Sequence, residues 1–114
     1  MGIELEKVYA SRDLKVTRVK LNGSISTGTE MRVPQTDKWV VTVKCENGML
    51  GCRIYDIECA DMLGLPFAVF SAPDLEDMLS SKPVKLSREA LELGAGHDMD
   101  GAAIIGLFST QGPK

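Results

Sequence analysis

The chain has 114 residues, 44% of them hydrophobic, enough for a globular chain that buries a core as a single domain over 1–114. A net charge of −3 and an aromatic content of 5% argue against a nucleic-acid partner, since they provide neither a phosphate-attracting surface nor base-stacking platforms. No apolar run approaches the roughly 20 residues of a membrane helix, the first residues lack a signal-peptide layout, and three cysteines without metal-type spacing suit reduced thiols in a cytoplasm.

From the N-terminus, residues 3–10 alternate weakly through Ile3, Leu5 and Val8 and read as a strand or a loose arm. Residues 14–21 are rich in β-branched side chains and read as a strand. Lys15, Arg18 and Lys20 form a small basic group there, read as a solvated strand face, with an anion or acidic-partner site as the other reading. Asn22-Gly23 signals a tight hairpin, because a type I′ turn needs positive φ at both central positions. The next strand, 24–33, contains Gly28, which suggests a bulge, and Pro34 ends it. These strands are polar and leave unpaired edges, a physical reason to expect self-association through the β-rich stretch of about 14–45.

Residues 39–55 carry a second hairpin signal at Asn47-Gly48. A two-residue loop there would place Cys45 opposite Leu50, Val43 opposite Cys52 and Val41 opposite Ile54. Alternation then puts Trp39, Val41, Val43, Cys45, Leu50, Cys52 and Ile54 on one apolar face. Cys45 and Cys52 would be diagonal neighbours with Cα atoms about 7–8 Å apart, at or beyond the reach of an unstrained disulfide. Both read as buried packing thiols.

Beyond Tyr55 the pattern turns helical. Asp56 caps a helix over 56–63 whose buried stripe is Ile57, Ala60 and Leu63, and Gly64 ends it. The uninterrupted apolar run 67–70 reads as a strand buried on both faces, parallel to a hairpin strand through a right-handed crossover. A short helix over 74–80, an edge strand at 84–86 and a helix over 88–93 between Ser87 and Gly94 follow. The apolar run 102–108 reads as a final helix or strand packed on the sheet, and 109–114 is expected to be a disordered tail. The fold class is α+β: an N-terminal antiparallel meander of hairpins, then short helices alternating with strands on a mixed sheet.

Three sets of residues have chemical potential. Cys52 lies near a strand end and a helix N-terminus, where a thiol pKa can fall. With Asp56, or with His97 as base, it is the catalytic candidate. Ser71, at the end of a buried strand where ligands bind in α/β sheets, is the ligand-binding candidate together with Asp74. His97, Asp98 and Asp100 could hold a divalent ion, but Asp100 is also the natural cap of the last helix, and no metal is assigned. Gly94 and Gly96 lack the Lys-Ser/Thr of a phosphate loop and are followed by carboxylates, so no cofactor is expected.

Gly23, Gly28, Pro34 and the run Asn47-Gly48-x-x-x-Cys52-x-x-x-Asp56 resemble the YunC-like family of small bacterial and archaeal proteins. The resemblance continues through Leu75, Leu79, Pro83-Val84, Ala90, Leu93-Gly94, Met99 and Gly101, from about residue 14 onward. It implies an α+β domain that forms a homotetramer through its β-rich N-terminal region, and it supplies no activity. This chain departs from that pattern in having Arg53 after Cys52, Ser71 in place of a glycine, and Ala102-Ala103 where the family has an Arg-Glu pair. The function expected is a homo-oligomeric assembly or small-ligand-binding module. A small cysteine-dependent enzyme using Cys52 is the second reading.

Overall fold

The computed structural model describes residues 3–110. β1 (Glu4–Ala10), β2 (Leu14–Leu21), β3 (Ser24–Arg32), β4 (Trp39–Lys44) and β5 (Met49–Gly51) form an antiparallel meander. α1 (Ile57–Leu63) then crosses to β6 (Phe67–Val69), which lies parallel to β5. α2 (Leu75–Ser80) leads to β7 (Lys85–Leu86), antiparallel to β6, and α3 (Arg88–Leu93) and α4 (Gly101–Thr110) follow. The strands make one seven-stranded mixed sheet in chain order, the α+β architecture expected.

Each helix begins on a side chain that replaces a missing intrahelical acceptor. Asp56 accepts from the Glu58 N–H at 3.0 Å, Asp74 from Asp77 at 2.8 Å, Ser87 from Ala90 at 3.2 Å and Asp100 from Ala103 at 2.9 Å. Gly64 and Gly94 close α1 and α3 in the left-handed conformation. The reading of 109–114 as a disordered tail is corrected for Ser109 and Thr110, which belong to α4. Residues 111–114 lie outside the described residues.

The two faces of the sheet are covered unequally. On one, Val19, Val41, Val43, Leu50, Ala68 and Phe70 pack with Leu75 and Met78 of α2, Ala90 of α3, and Ile104, Ile105 and Phe108 of α4. On the other, Phe67 and Val69 pack with Ala60 of α1, flanked by Met49, Ile57 and Leu65. Neighbouring residues of β6 thus serve opposite cores, as period-two alternation requires. Leu63, expected in the buried stripe of α1, is 78% exposed because α1 rests on the sheet through Ala60 and Ile57 alone.

Only one of the two Asn-Gly pairs makes the expected turn. Asn22 and Gly23 have φ of 54° and 84°, and Leu21 faces Ser24 across a two-residue loop. At Asn47-Gly48 the pairing is moved by two residues, so that Val43 faces Leu50 and Lys44 faces Met49. The cause is tertiary: the Asn47 N–H donates to the Phe108 carbonyl at 2.9 Å, and the Cys45 N–H donates to Gly48 at 2.8 Å. A shift of two preserves the faces, so Val41, Val43, Cys45, Leu50 and Cys52 are buried as expected.

It does not preserve the diagonal pairing of Cys45 with Cys52. The Cys52 N–H donates to the Val41 carbonyl at 3.1 Å, at the opposite end of the hairpin from Cys45, and all three cysteines are free. Ile54, expected in the core, is 68% exposed because the chain leaves the sheet after Cys52. Gly28 is no bulge, since its register with Thr17 and Val43 is unbroken. A Cβ there would lie 2.9 Å from Leu75 Cδ2, so the glycine admits α2. The irregularity falls in β1, between Lys7 and Tyr9.

Candidate functional site

Cys52 and Ser71, separate candidates in the sequence, end up in the same cleft. The first follows β5 and the second follows β6, so both stand at the carboxyl ends of the parallel pair. The cleft has a volume of about 600 Å³. Its walls come from three segments: Val33 and Asp37–Val40 at the β3–β4 connection, Cys52–Ile54, and Ser71–Pro73. Apolar groups predominate, with Trp39, Val40, Ile54 and Pro73 among them, and Lys38, Arg53 and Asp37 carry the charge. Lys15 Nζ stands 4.6 Å from the centre of the Trp39 ring, an ammonium over an aromatic face that steadies this wall.

The remaining candidates lie elsewhere. Asp56 is occupied as the cap of α1, and its second oxygen receives the Cys59 thiol at 3.7 Å. Asp74 caps α2 and lines a second, smaller hollow of about 330 Å³ with Lys7, Lys15 and Glu30. Glu30 reaches across from β3 to accept from the Leu75 N–H at 3.0 Å. His97 is exposed in the link between α3 and α4 and lines neither cavity. Cys52 therefore has neither Asp56 nor His97 in the walls of its cleft. Among the described residues, no group of three or more His, Cys, Asp and Glu side chains is arranged to hold a metal ion. No helix among them is long and apolar enough to cross a membrane.

The sequence reading overlooked Trp39, Lys38 and Arg53 as site residues. Lys38 and Trp39 are neighbours at the foot of β4, but nothing in the spacing joins them to Arg53. It also overlooked a buried polar group around Cys45. Ser26 is 1% exposed and its hydroxyl lies 3.3 Å from that of Ser109 on α4. Burial pushes the Cys45 thiol pKa up, and hydrogen bonds from Ser26 and Ser109 oppose the shift. The available signal was parity: Ser26 falls on the same alternation as the buried Gly28.

The chain matches no family model, and no curated protein matches it. Among solved structures it is similar to the crystal structure of a protein of unknown function from Thermoplasma acidophilum, with 18% identity and a TM-score of 0.78. The similarity covers 89% of this chain and 99% of the other. At that identity it establishes a shared fold.

Proposed function

We propose that the protein is a homo-oligomeric module that associates through the face of β1–β4 that no helix covers. The observation that carries this reading is the composition of that face. Tyr9, Val16, Thr29 and Thr42 form one row across the strands, and Leu14, Met31 and Val40 form the next. Tyr9 and Met31 are each 53% exposed, although the opposite face of the same strands is packed. Apolar side chains grouped on one sheet face, here Tyr9, Leu14, Val16, Met31 and Val40, mark an association surface, with Thr42 at its margin bonded to the Tyr55 hydroxyl at 2.6 Å.

The face is also shaped for a copy of itself. α1 stands on the same side of the sheet as a ridge beside the bare strands, and its Met62 and Leu63 are 86% and 78% exposed. A two-fold axis through the face would lay each ridge beside the other copy's bare sheet. A two-fold interface uses one patch on both partners, and a second such interface makes a tetramer. The outer edge of β1, where Val8 stands unpaired at the irregularity and is 48% exposed, is the second surface. The YunC-like resemblance points to the same tetramer. The three unpaired thiols support a reducing, cytoplasmic setting.

Light scattering on the purified chain tests this. The expected mass is four times the 12.4 kDa of one chain, and Val16→Lys combined with Met31→Lys should lower it while the far-ultraviolet circular dichroism is unchanged. A monomeric wild-type protein, or an assembly indifferent to both lysines, would sink the reading.

A further inference from the structure

We propose that the cleft at the carboxyl ends of β5 and β6 binds a small organic monoacid, with its acid group on Arg53 and Lys38 and a flat apolar body on Trp39, Ile54 and Pro73. The proposal goes beyond the assembly reading; the two share Val40 in the wall of the cleft, and the residues that would hold the ligand are others.

Place comes first. Ligands of sheets with parallel strands lie beyond the carboxyl ends of those strands, where loops diverge and leave a crevice. Here β5 and β6 are the parallel pair, and the cleft opens where Cys52 and Ser71 leave them. Its volume of about 600 Å³ falls within the roughly 300–1,000 Å³ of small-molecule sites.

Charge decides the class. The chain as a whole is acidic, with a net charge of −3. The cleft reverses that sign: Lys38 and Arg53 face a single carboxylate, Asp37. Among the described residues neither cation is in an ion pair, whereas Arg18, Lys20 and Arg32 are. An excess of one positive charge suits a monoanion, and Asp37 disfavours the second charge of a phosphate. A guanidinium presents two parallel N–H donors to a carboxylate, which gives orientation as well as attraction. The Ser71 hydroxyl, on a different wall of the cleft, adds a neutral donor.

The apolar walls decide the body. Ile54 is 68% exposed in the wall of the cleft, and no core claims it. Trp39 is half-buried, packs at the margin of the main core and is held by Lys15, so it offers a fixed flat wall. A planar ring or short chain would cover both at little ordering cost, because the wall is already in place.

Trp39 is the one tryptophan of the chain, so the site carries its own reporter. The probe is 4-nitrobenzoate, a flat acid that quenches indole fluorescence, set against its neutral counterpart 4-nitrobenzyl alcohol. The full chain in its native assembly is titrated with each up to about 10 mM, and saturable quenching by the acid with at least about tenfold weaker quenching by the alcohol is expected. The acid should also slow alkylation of Cys52. The double variant Lys38→Gln, Arg53→Gln, both at exposed positions, should weaken the acid by about tenfold or more, while Lys44→Gln, exposed beside Met49 at the other end of the β4–β5 ladder, should not. Absence of saturable quenching, equal binding of the alcohol, or an unchanged affinity in the double variant would each overturn the proposal. None of these outcomes bears on the mass measured by light scattering, so the two ideas fail separately.

Discussion

A methyl group on Gly48 would lie 2.6 Å from Cδ2 of Phe108 and 2.9 Å from the Pro66 carbonyl. The ring belongs to a fully buried residue and the carbonyl to backbone, so neither yields easily. Gly48→Ala should therefore cost about 2–3 kcal/mol, the upper part of the range for overpacking a filled core. Gly23 has open space around its Cα, and its demand is conformational, at φ 84°. Gly23→Ala should cost about 1 kcal/mol, the penalty for an L side chain in the left-handed region. Denaturant midpoints of the two variants check the order, and a larger loss at Gly23 would contradict it. The same dipeptide thus has two physical causes. A turn is legible from the dipeptide alone, but the approach of Phe108, sixty positions away, is not.

The buried thiols extend the contrast. Cys45 is 4% exposed, and its pKa is raised chiefly by burial, so the folded state favours the neutral thiol. An unfolded thiol ionises near pH 8.5. The stabilisation is thus fully present below that pH and is lost as pH rises through the raised folded value. Above about pH 8.5, the denaturation midpoint should fall more steeply in the wild type than in Cys45→Ala. Equal slopes would remove Cys45 as the cause. In native protein at neutral pH, alkylation should reach the exposed Cys59 first and Cys45 only on unfolding.

Among the elements, one hydroxyl does much of the joining of α3 to the sheet, beside the backbone bond from the Ser87 N–H to the Phe67 carbonyl at 2.9 Å. Ser87 Oγ accepts from the Phe67 N–H at 2.9 Å, donates to the Leu65 carbonyl at 2.8 Å and caps Ala90 at 3.2 Å. Ser87 is fully buried, so no water can take over these bonds. Ser87→Ala should cost about 2–4 kcal/mol, since each buried group left unpaired costs about 1–3 kcal/mol. Asp56→Ala removes one cap bond at an exposed helix start and should cost only about 1 kcal/mol. Thermal unfolding of the pair tests the difference, and equal losses would show that Ser87 acts as a cap alone. Both caps were legible, because a cap is a local pattern of a side chain and the next turn. The bonds of Ser87 to β6 were not, because they join residues about twenty positions apart. Most of the elements were legible on the same local grounds, while the register at Asn47 and the exposure of Ile54 and Leu63 depended on neighbours brought in by folding.

For the molecule as a whole, the proposed assembly can be tested by which part of the bare sheet face it needs. The face has two halves. One holds Tyr9, Leu14, Val16, Met31 and Val40. The other holds Glu6, with Lys20 Nζ at 3.0 Å and Arg18 at 3.5 Å. Arg18 and Lys20 were visible as a basic strand face, though Lys15, grouped with them, stands over Trp39 instead. The apolar half could not be drawn from the sequence, because its rows assemble from four strands and become a surface only where the helices fail to cover them. The cleft was hidden for the same reason, being built from three distant segments. The Glu6 carboxyl is held below its ordinary pKa, first by its hydrogen bond to Lys20 and then by the charges around it. A lowered folded pKa gives a contribution present above the ordinary carboxylate range and lost as pH falls through the lowered value. In solvent, such a contribution is screened and small. If the apolar half is the contact, this ion group is a wet rim, and rim charges tune association rates more than stability. Glu6→Gln should then leave the assembled mass unchanged from neutral pH down to about pH 5, above the titration of the carboxylate. Val16→Lys with Met31→Lys should dissociate the assembly over the same range. Sedimentation of the two variants decides the matter. Loss of assembly in Glu6→Gln alone would move the interface to the charged half, where the carboxylate would be buried between copies and its removal would leave Lys20 and Arg18 unpaired.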